Sequence, residues 1–497
     1  MTPAASHQEG TWHPVTAPNI LFILSDDHGY ADRRILGIDP AVRTPGLDRL
    51  AREGVSCREA YVTAPICNPS RNGIITGSYP ARWGSTWFGD THFDDERVTL
   101  AERLGELGYR TGYFGKVHYG PEGPGDRACP DQHGFDVAYY GLAGRQQGRL
   151  NYLRHSEAAV AEYGPEAQWR MAVQPMFEGD REVELEGFLT AELGRRARDF
   201  MGSDDDRPFF AMVAFNAVHN FCWQLPPEEL EARGLPTHSD WRDPGSVSYE
   251  DWYDGAISPN LAHGREYYLA QLELMDHQIG LLLDQLDARG LAGDTVVVYL
   301  TDNGGSTCNY GNNAPLSGTK YTLAEGGIRV PLLARWPAGG WSGGASREGI
   351  ISSLDLFPTL LAAAGDGAEP KRAGDGVDGI DGIDQGAYLA GGTSKRGTHH
   401  WECGFQAAVR DGDLKLRIVH GDDPQAEGIR RIEHAEPGGG VTLHDVRRDV
   451  AEAHDLAAER PDDVARLWAL HEAWLADVGR LDLAVRHGQA VRALLGT

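Results

Sequence analysis

Short apolar runs alternate along this chain with amphipathic stretches, and the runs tend to stop at polar or charged residues. Asn19 to Ser25, NILFILS, reads as a buried parallel strand and gives way at once to Asp26-Asp27-His28. Thr44-Pro45 opens a helix that ends near Gly54, a cap-then-proline start and a glycine stop. Thr99 to Leu107 predicts a helix with Leu100, Leu104 and Leu107 on one face, followed by a turn and a strand ending in Lys116-Val117-His118. Further helices are predicted around Glu157 and Leu189. Pro208 to Phe215, PFFAMVAF, is a strand with His219 beyond it, and the acidic, Pro- and Trp-rich stretch from Pro226 to Pro259 reads as a surface excursion. Tyr268, Leu272, Met275, Ile279, Leu282 and Leu286 step by 4, 3, 4, 3 and 4, one face of a helix stopped at Gly290, with Met275 as a core residue. Thr295 to Leu300 is the next strand and runs into Thr301-Asp302-Asn303-Gly304-Gly305.

Leu354 to Gly365 predicts a buried helix. Asp366 to Thr398 is rich in Gly and Asp, and its GVDGIDGID has the spacing of a calcium-binding nonapeptide repeat; one copy cannot build a solenoid, so the stretch reads as loop. Gln406 to His420 predicts two short strands around an Asp-Gly turn, Val441 to Val446 another strand, and Pro461 to Leu475 a helix carrying Leu467, Leu470 and Trp474. The alternation predicts an α/β fold: a large, mostly parallel sheet flanked by helices, then a smaller C-terminal subdomain of antiparallel sheet plus helix. The division falls between residues 1–395 and 396–497. Ligands of such sheets gather beyond the carboxyl ends of the strands. Asp26, Asp27, His118, His219, Asp302 and Asn303 all lie just past apolar runs.

Composition narrows the class. The chain has 497 residues, 41 % of them hydrophobic, and a formal charge of −27, which excludes nucleic acid as the main partner and disfavours an anionic membrane. No apolar run approaches the roughly 18 residues of a membrane span, and the N-terminal stretch has no basic and apolar signal regions, so a cytoplasmic location is expected. The six cysteines (57, 67, 129, 222, 308 and 403) have no metal-cluster spacing and leave room for one remote disulfide. Asp26, Asp27, Asp302 and Asn303 offer only oxygen, which suits calcium, with magnesium as second choice.

The most informative stretch is Tyr61 to Pro80, YVTAPICNPSRNGIITGSYP. Pro69 suits the first turn of a helix, Ile74 and Ile75 would face the core, and Gly77 would end it. Cys67 would then sit at the positive helix end, with Arg71 about one turn along. C-x-P-S-R followed by T-G-x-Y-P resembles the signature of the formylglycine-dependent sulfatases, of the alkaline phosphatase-like superfamily. FGKVHYG, FNAVHNF, LSGTKYT and AEGGIRVP resemble further segments of that family, with Val218 where proline is usual. The likeness spans roughly residues 18–365 and weakens in VRDGDLKL and TLHDVRRDVAEAHDLA.

The resemblance implies a sulfatase that hydrolyses a sulfate ester, of a carbohydrate or an aryl alcohol. It implies that Cys67 is oxidised to Cα-formylglycine by a formylglycine-generating enzyme during maturation, and that the hydrated aldehyde attacks sulfur. Asp26, Asp27, residue 67, Asp302 and Asn303 would hold the metal. Arg71 would help to deprotonate the nucleophile, His219 or Lys320 would protonate the leaving alcohol, and His118 would drive the elimination of sulfate. With Lys116, these residues complete the implied catalytic set of Cys67, Arg71, Lys116, His118, His219 and Lys320. A divalent cation with Arg71, Lys116 and Lys320 outweighs three aspartates, so the pocket is net positive within an acidic protein. The substrate would be a small or oligosaccharide sulfate ester. A phosphonate or phosphodiester hydrolase on the same scaffold is the alternative, and a non-catalytic glycan-binding homologue a weaker one. Trp87, His92, Trp223, Trp401, His399 and His400 lie outside these motifs, where a pocket wall could form, although tryptophan is more often core.

Overall fold

The computed structural model describes residues 17–144, 148–153, 176–236, 261–366 and 379–496. The predicted helix around Glu157, most of the excursion before Pro259, and the start of the Gly/Asp-rich stretch lie outside the described residues. The strands are β1 (Asn19–Ser25), β2 (Val55–Tyr61), β3 (Arg110–Val117), β4 (Val137–Leu142), β5 (Met176–Glu178), β6 (Arg181–Val183), β7 (Phe209–Ala214), β8 (Thr295–Thr301), β9 (Leu332–Arg335) and β10 (Ala345–Ser352). They form one sheet in the order β10-β2-β9-β8-β1-β7-β3-β4-β5-β6. β1 lies parallel between β7 and β8, with Ile23 opposite both Val213 and Tyr299. Only β9 and β5 run against the rest.

The period of two along β1 explains why the sheet is covered on both sides. Leu21 and Ile23 point into one apolar cluster, Ile20, Phe22 and Leu24 into the other. The first cluster is closed by the long helix Gly264–Ala288, whose predicted face, Tyr268 to Leu286, is buried as the spacing requires. The opposite face carries Leu100 and Leu104 of Leu100–Glu106, Ile74 and Ile75, and the helix Leu356–Ala363. One detail differs from expectation. Thr44 makes no side-chain cap on Pro45–Glu53; Asp276 of the long helix accepts instead from the Gly46 and Leu47 N–H groups at 2.7 and 2.8 Å. Such N–H groups need an acceptor, and a carboxylate from a neighbouring helix serves as well as a local one.

The C-terminal region builds its own antiparallel sheet from β11 (Thr398–Cys403), β12 (Gln406–Asp411), β13 (Leu414–Val419) and β14 (Gly440–Asp445), in that order. Gly412, at φ 59°, makes the predicted turn between β12 and β13. Helices Pro461–Asp477 and Leu481–Leu495 pack on this sheet, and Pro424–Glu433 is inserted between β13 and β14. A buried ionic cluster joins sheet and main body. Lys415 of β13 lies 2.8 Å from Glu325 and 3.2 Å from Glu452, and Tyr61 donates to Glu325 at 2.6 Å. The six cysteines form no disulfide, so the remote pair left open by their spacing is not made. Among the described residues no helix is long and apolar enough to cross a membrane.

Candidate active site

β1, β2, β3, β7 and β8 point the same way, so the segments leaving their ends meet at one edge. Asp26 and Asp27 follow β1, the helix Cys67–Thr76 follows β2, Lys116 and His118 end β3, His219 follows β7, and Asp302 and Asn303 follow β8. Asp26 is tied to the β7 loop by Asp26 N–H to Ala217 O, 2.9 Å, and Val218 N–H to Asp26 O, 2.7 Å. The Ala217–Val218 peptide, where the resembling family usually has proline, is cis.

Cys67 is the first residue of its helix, after Ile66 in extended conformation, and Gly77 ends the helix at φ 65°. A Cβ on Gly77 would lie 2.8 Å from Phe357, so the stop also lets another helix approach. All ten residues of the helix are buried. Arg71, one turn on, donates from Nε to Asp302 at 2.7 Å and from Nη1 to Lys116 O at 3.0 Å; its Nη2 lies 3.5 Å from Asp26. Lys116 Nζ pairs with the same Asp26 oxygen. Asp27 takes a left-handed backbone, φ 56°, sparsely populated for a non-glycine residue. Its carboxylate accepts from Lys320 Nζ at 2.8 Å, Asn303 Nδ2 at 2.7 Å and Asn309 Nδ2 at 2.9 Å, with His219 Nε2 at 3.6 Å.

One ligand atom each from Asp26, Asp27, Cys67 and His219 lies within 4.8 Å of all the others. Asp302 faces Arg71 and the Asp27 N–H, the latter at 3.4 Å. His118 stands edge-on to Phe88 at 5.7 Å. Two acceptor-only atoms, Asp26 Oδ1 and Asn303 Oδ1, are buried without any donor. Orphaned oxygens beside two buried carboxylates, with Cys67 and His219 in the same group, are compatible with a bound divalent cation.

The proton affinities agree. Burial and the neighbouring Asp302 push Asp26 up to about 7, against the pull of Lys116 and Arg71. Burial also raises Asp302, but Arg71, Lys116 and Lys320 outweigh it and hold that carboxyl below its ordinary range. Burial pushes the Cys67 thiol up to about 12, with Lys116 and Lys320 pulling the other way, so an unmodified thiol stays protonated at neutral pH and is a poor nucleophile. His118 and His219 are held well below the imidazole range by burial and then by Lys116, and are neutral at pH 7. Burial opposes the Lys320 charge, but Asp27 outweighs it and holds the ammonium firmly protonated.

A cavity of about 280 Å³ shares His219, Asn309 and Lys320 with this cluster. Trp87, Phe88 and Tyr321 line one part of it, and Gln425, Ile429 and Glu433 of the helix Pro424–Glu433 another. A larger cleft, about 860 Å³, opens beside Arg110 and Arg196 and shares none of the predicted site residues. Of the six aromatic and histidine side chains expected as wall candidates, only Trp87 lines the smaller cavity. Trp223 packs on Phe221, Trp401 on Tyr61, His399 bonds Tyr79, His400 stacks on Trp474, and His92 lies beside Asp90 O in a loop. Asn309 and Glu433 carry no signal in local spacing and only the fold brings them here, whereas Tyr321 comes with its neighbour Lys320.

The sulfatase family's sequence profile matches residues 18–366. Bovine (Bos taurus) arylsulfatase A is 31 % identical over 478 residues, covering 90 % of this chain and 85 % of its own. The N-acetylgalactosamine-6-sulfatase of Canis lupus familiaris is 29 % identical over 450 residues, covering 86 % of this chain and 77 % of its own. Among solved structures, Ps i-CgsB in complex with k-i-k-neocarrahexaose superposes with a TM-score of 0.74 at 25 % identity, over 94 % of both chains. A chain with this sheet, this acidic cluster and these relatives belongs to the sulfatase family of the alkaline phosphatase-like superfamily, the enzymes that hydrolyse sulfate esters.

Proposed function

We propose that this sulfatase carries Cα-formylglycine at position 67, binds Ca²⁺ through Asp26, Asp27, Asp302 and Asn303 together with residue 67, and removes sulfate from a carbohydrate. The observation that carries the reading is the pair of donorless oxygens, Asp26 Oδ1, in the group of Asp26, Asp27, Cys67 and His219, and Asn303 Oδ1, whose amide donates to Asp27, with Arg71, Lys116 and Lys320 paired to the aspartates. Bound calcium would polarise the sulfuryl oxygens. The aldehyde hydrate would supply a nucleophile that a thiol held near 12 does not, and a second hydroxyl that lets sulfate leave by elimination.

The chain's own residues divide the remaining work. Arg71 and Lys116 flank Asp26 and fix its carboxylate, while their charge favours an anionic ester in a protein of net charge −27. Lys320 Nζ holds a proton at neutral pH and stands on Asp27, so it is the group with a proton to give to the leaving alcohol. His118 is neutral and its Nδ1 makes no hydrogen bond, so it has a lone pair to take one, against the opposition of burial and Lys116. Trp87, Phe88 and Tyr321 offer apolar faces of the kind sugar rings stack on. A carbohydrate leaving group is also supported by the similar N-acetylgalactosamine-6-sulfatase and by the k-i-k-neocarrahexaose bound to the similar Ps i-CgsB. No observation favours the phosphodiester alternative.

Mass spectrometry of the peptide holding residue 67, from protein co-expressed with a formylglycine-generating enzyme, tests the modification. The aldehyde mass is expected, and a fully active protein with an intact thiol would overturn it. A panel of sulfated mono- and disaccharides beside an aryl sulfate and an aryl phosphodiester tests the substrate. Faster turnover of the phosphodiester by orders of magnitude would sink the assignment.

A further inference from the structure

Glu433 ends the helix Pro424–Glu433 in the C-terminal region, far in sequence from the acidic cluster, and is fully buried. Both of its oxygens are turned toward two loops of the main body. Oε1 accepts from Ser306 Oγ at 2.7 Å. Oε2 accepts from the Thr307 N–H at 2.7 Å and from Thr319 Oγ1 at 3.0 Å, with the Cys308 N–H at 3.4 Å. The first loop leads to Asn309 and the second to Lys320. Those two side chains donate to the same oxygen of Asp27, each at 2.9 Å. One carboxylate therefore ties together the two segments that hold Asp27, and Asp27 itself sits in a left-handed backbone that needs outside support.

We infer that Glu433 is a positioning residue through which the C-terminal helix holds Asp27 in shape for its cation. The inference rests on the calcium reading above. Partners of this kind, one step removed from a metal ligand, set the ligand's orientation, and losing them typically weakens metal affinity by about 10–100-fold. A glutamine at 433 is nearly isosteric but replaces one acceptor oxygen with an NH₂ group, which the Thr307 N–H cannot meet and the Ser306 hydroxyl can meet only by giving up its own donation. The helix would stay, and the grip on the two loops would weaken.

The test is Ca²⁺ titration of the full chain, prepared metal-free, by calorimetry, with thermal unfolding alongside. Glu433→Gln is expected to lose roughly tenfold or more in Ca²⁺ affinity. Ser306→Ala and Thr319→Val, which each remove one donor to the same carboxylate, are expected to lose about threefold. Ala426→Gly, which loosens the same helix without touching the carboxylate, is expected to unfold at lower temperature and bind Ca²⁺ like the parent. Unchanged affinity in Glu433→Gln overturns the inference, as does an equal loss in Ala426→Gly. Should Glu433→Gln not fold, unchanged affinity in both Ser306→Ala and Thr319→Val overturns it. A parent protein that binds no Ca²⁺ overturns the calcium reading and this inference with it; binding by the parent with no difference among variants overturns this inference alone.

Discussion

Asp26 and Glu325 are both buried carboxylates set among arginine and lysine, yet they end in opposite states. Burial pushes both up. At Glu325 the charges of Lys415, Arg329 and Arg410 outweigh burial and hold the carboxyl down to about 2. At Asp26 burial, helped by Asp302, wins and the carboxyl rises to about 7. The hydrogen bonds tell the same story: both oxygens of Glu325 have a donor, Lys415 at 2.8 Å and Tyr61 at 2.6 Å, whereas Asp26 Oδ1 has none. A closed ion cluster joins parts of the fold. An open one, short of positive charge and beside a cavity, marks where a ligand belongs.

The largest effect should come from residue 67. Cys67→Ala is expected to lower aryl sulfate turnover by more than about 10⁴-fold, with little change in unfolding temperature. Substantial remaining activity would detach the open cluster from the chemistry. Next in size, Lys415→Met leaves Glu325 and Glu452 buried without their shared cation and should cost about 3–5 kcal/mol in urea unfolding. Lys116→Met, at the open cluster, should lose far more rate than stability, and the reverse pattern would break the contrast.

The contrast can be sharpened with pH. Glu325 has a folded value near 2 against 4.5 in an unstructured chain, so its contribution is fully present above pH 4.5 and is lost as pH falls toward 2. That contribution is about 3 kcal/mol. Unfolding free energies measured between pH 7 and pH 3 should therefore fall less steeply in Glu325→Gln than in the parent, and parallel curves would contradict the closed-cluster account. The smallest effect is expected at the cavity wall. Trp87→Ala should raise KM for a sulfated sugar by about three- to tenfold and leave kcat nearly unchanged.

Much of this was readable along the chain, for definite reasons. The long helix announces itself because its six apolar residues keep one face over five intervals, and β1 because both faces of a central strand must be apolar. β2, VSCREAY, was hidden because Arg58 is exposed and Glu59 answers to Arg410, so no apolar run forms. Helix Leu481–Leu495 keeps Leu481 and Val485 in solvent, which blurs its face. At the site, Asp26, Asp27, Asp302 and Asn303 were legible from their place after strands. Asn309 and Glu433 were not, since each acts through a partner more than a hundred residues away in sequence.

The helix that starts at Cys67 has no residue open to solvent, and residue 67 itself is only 2 % exposed. An enzyme that oxidised that thiol would first have to reach it. Once β2 is paired and the helix is sealed beneath Phe357, such access requires undoing the centre of the molecule. If residue 67 is converted as proposed, the conversion would therefore be a matter of timing: the thiol is within reach of another protein before the chain folds and is sealed afterwards.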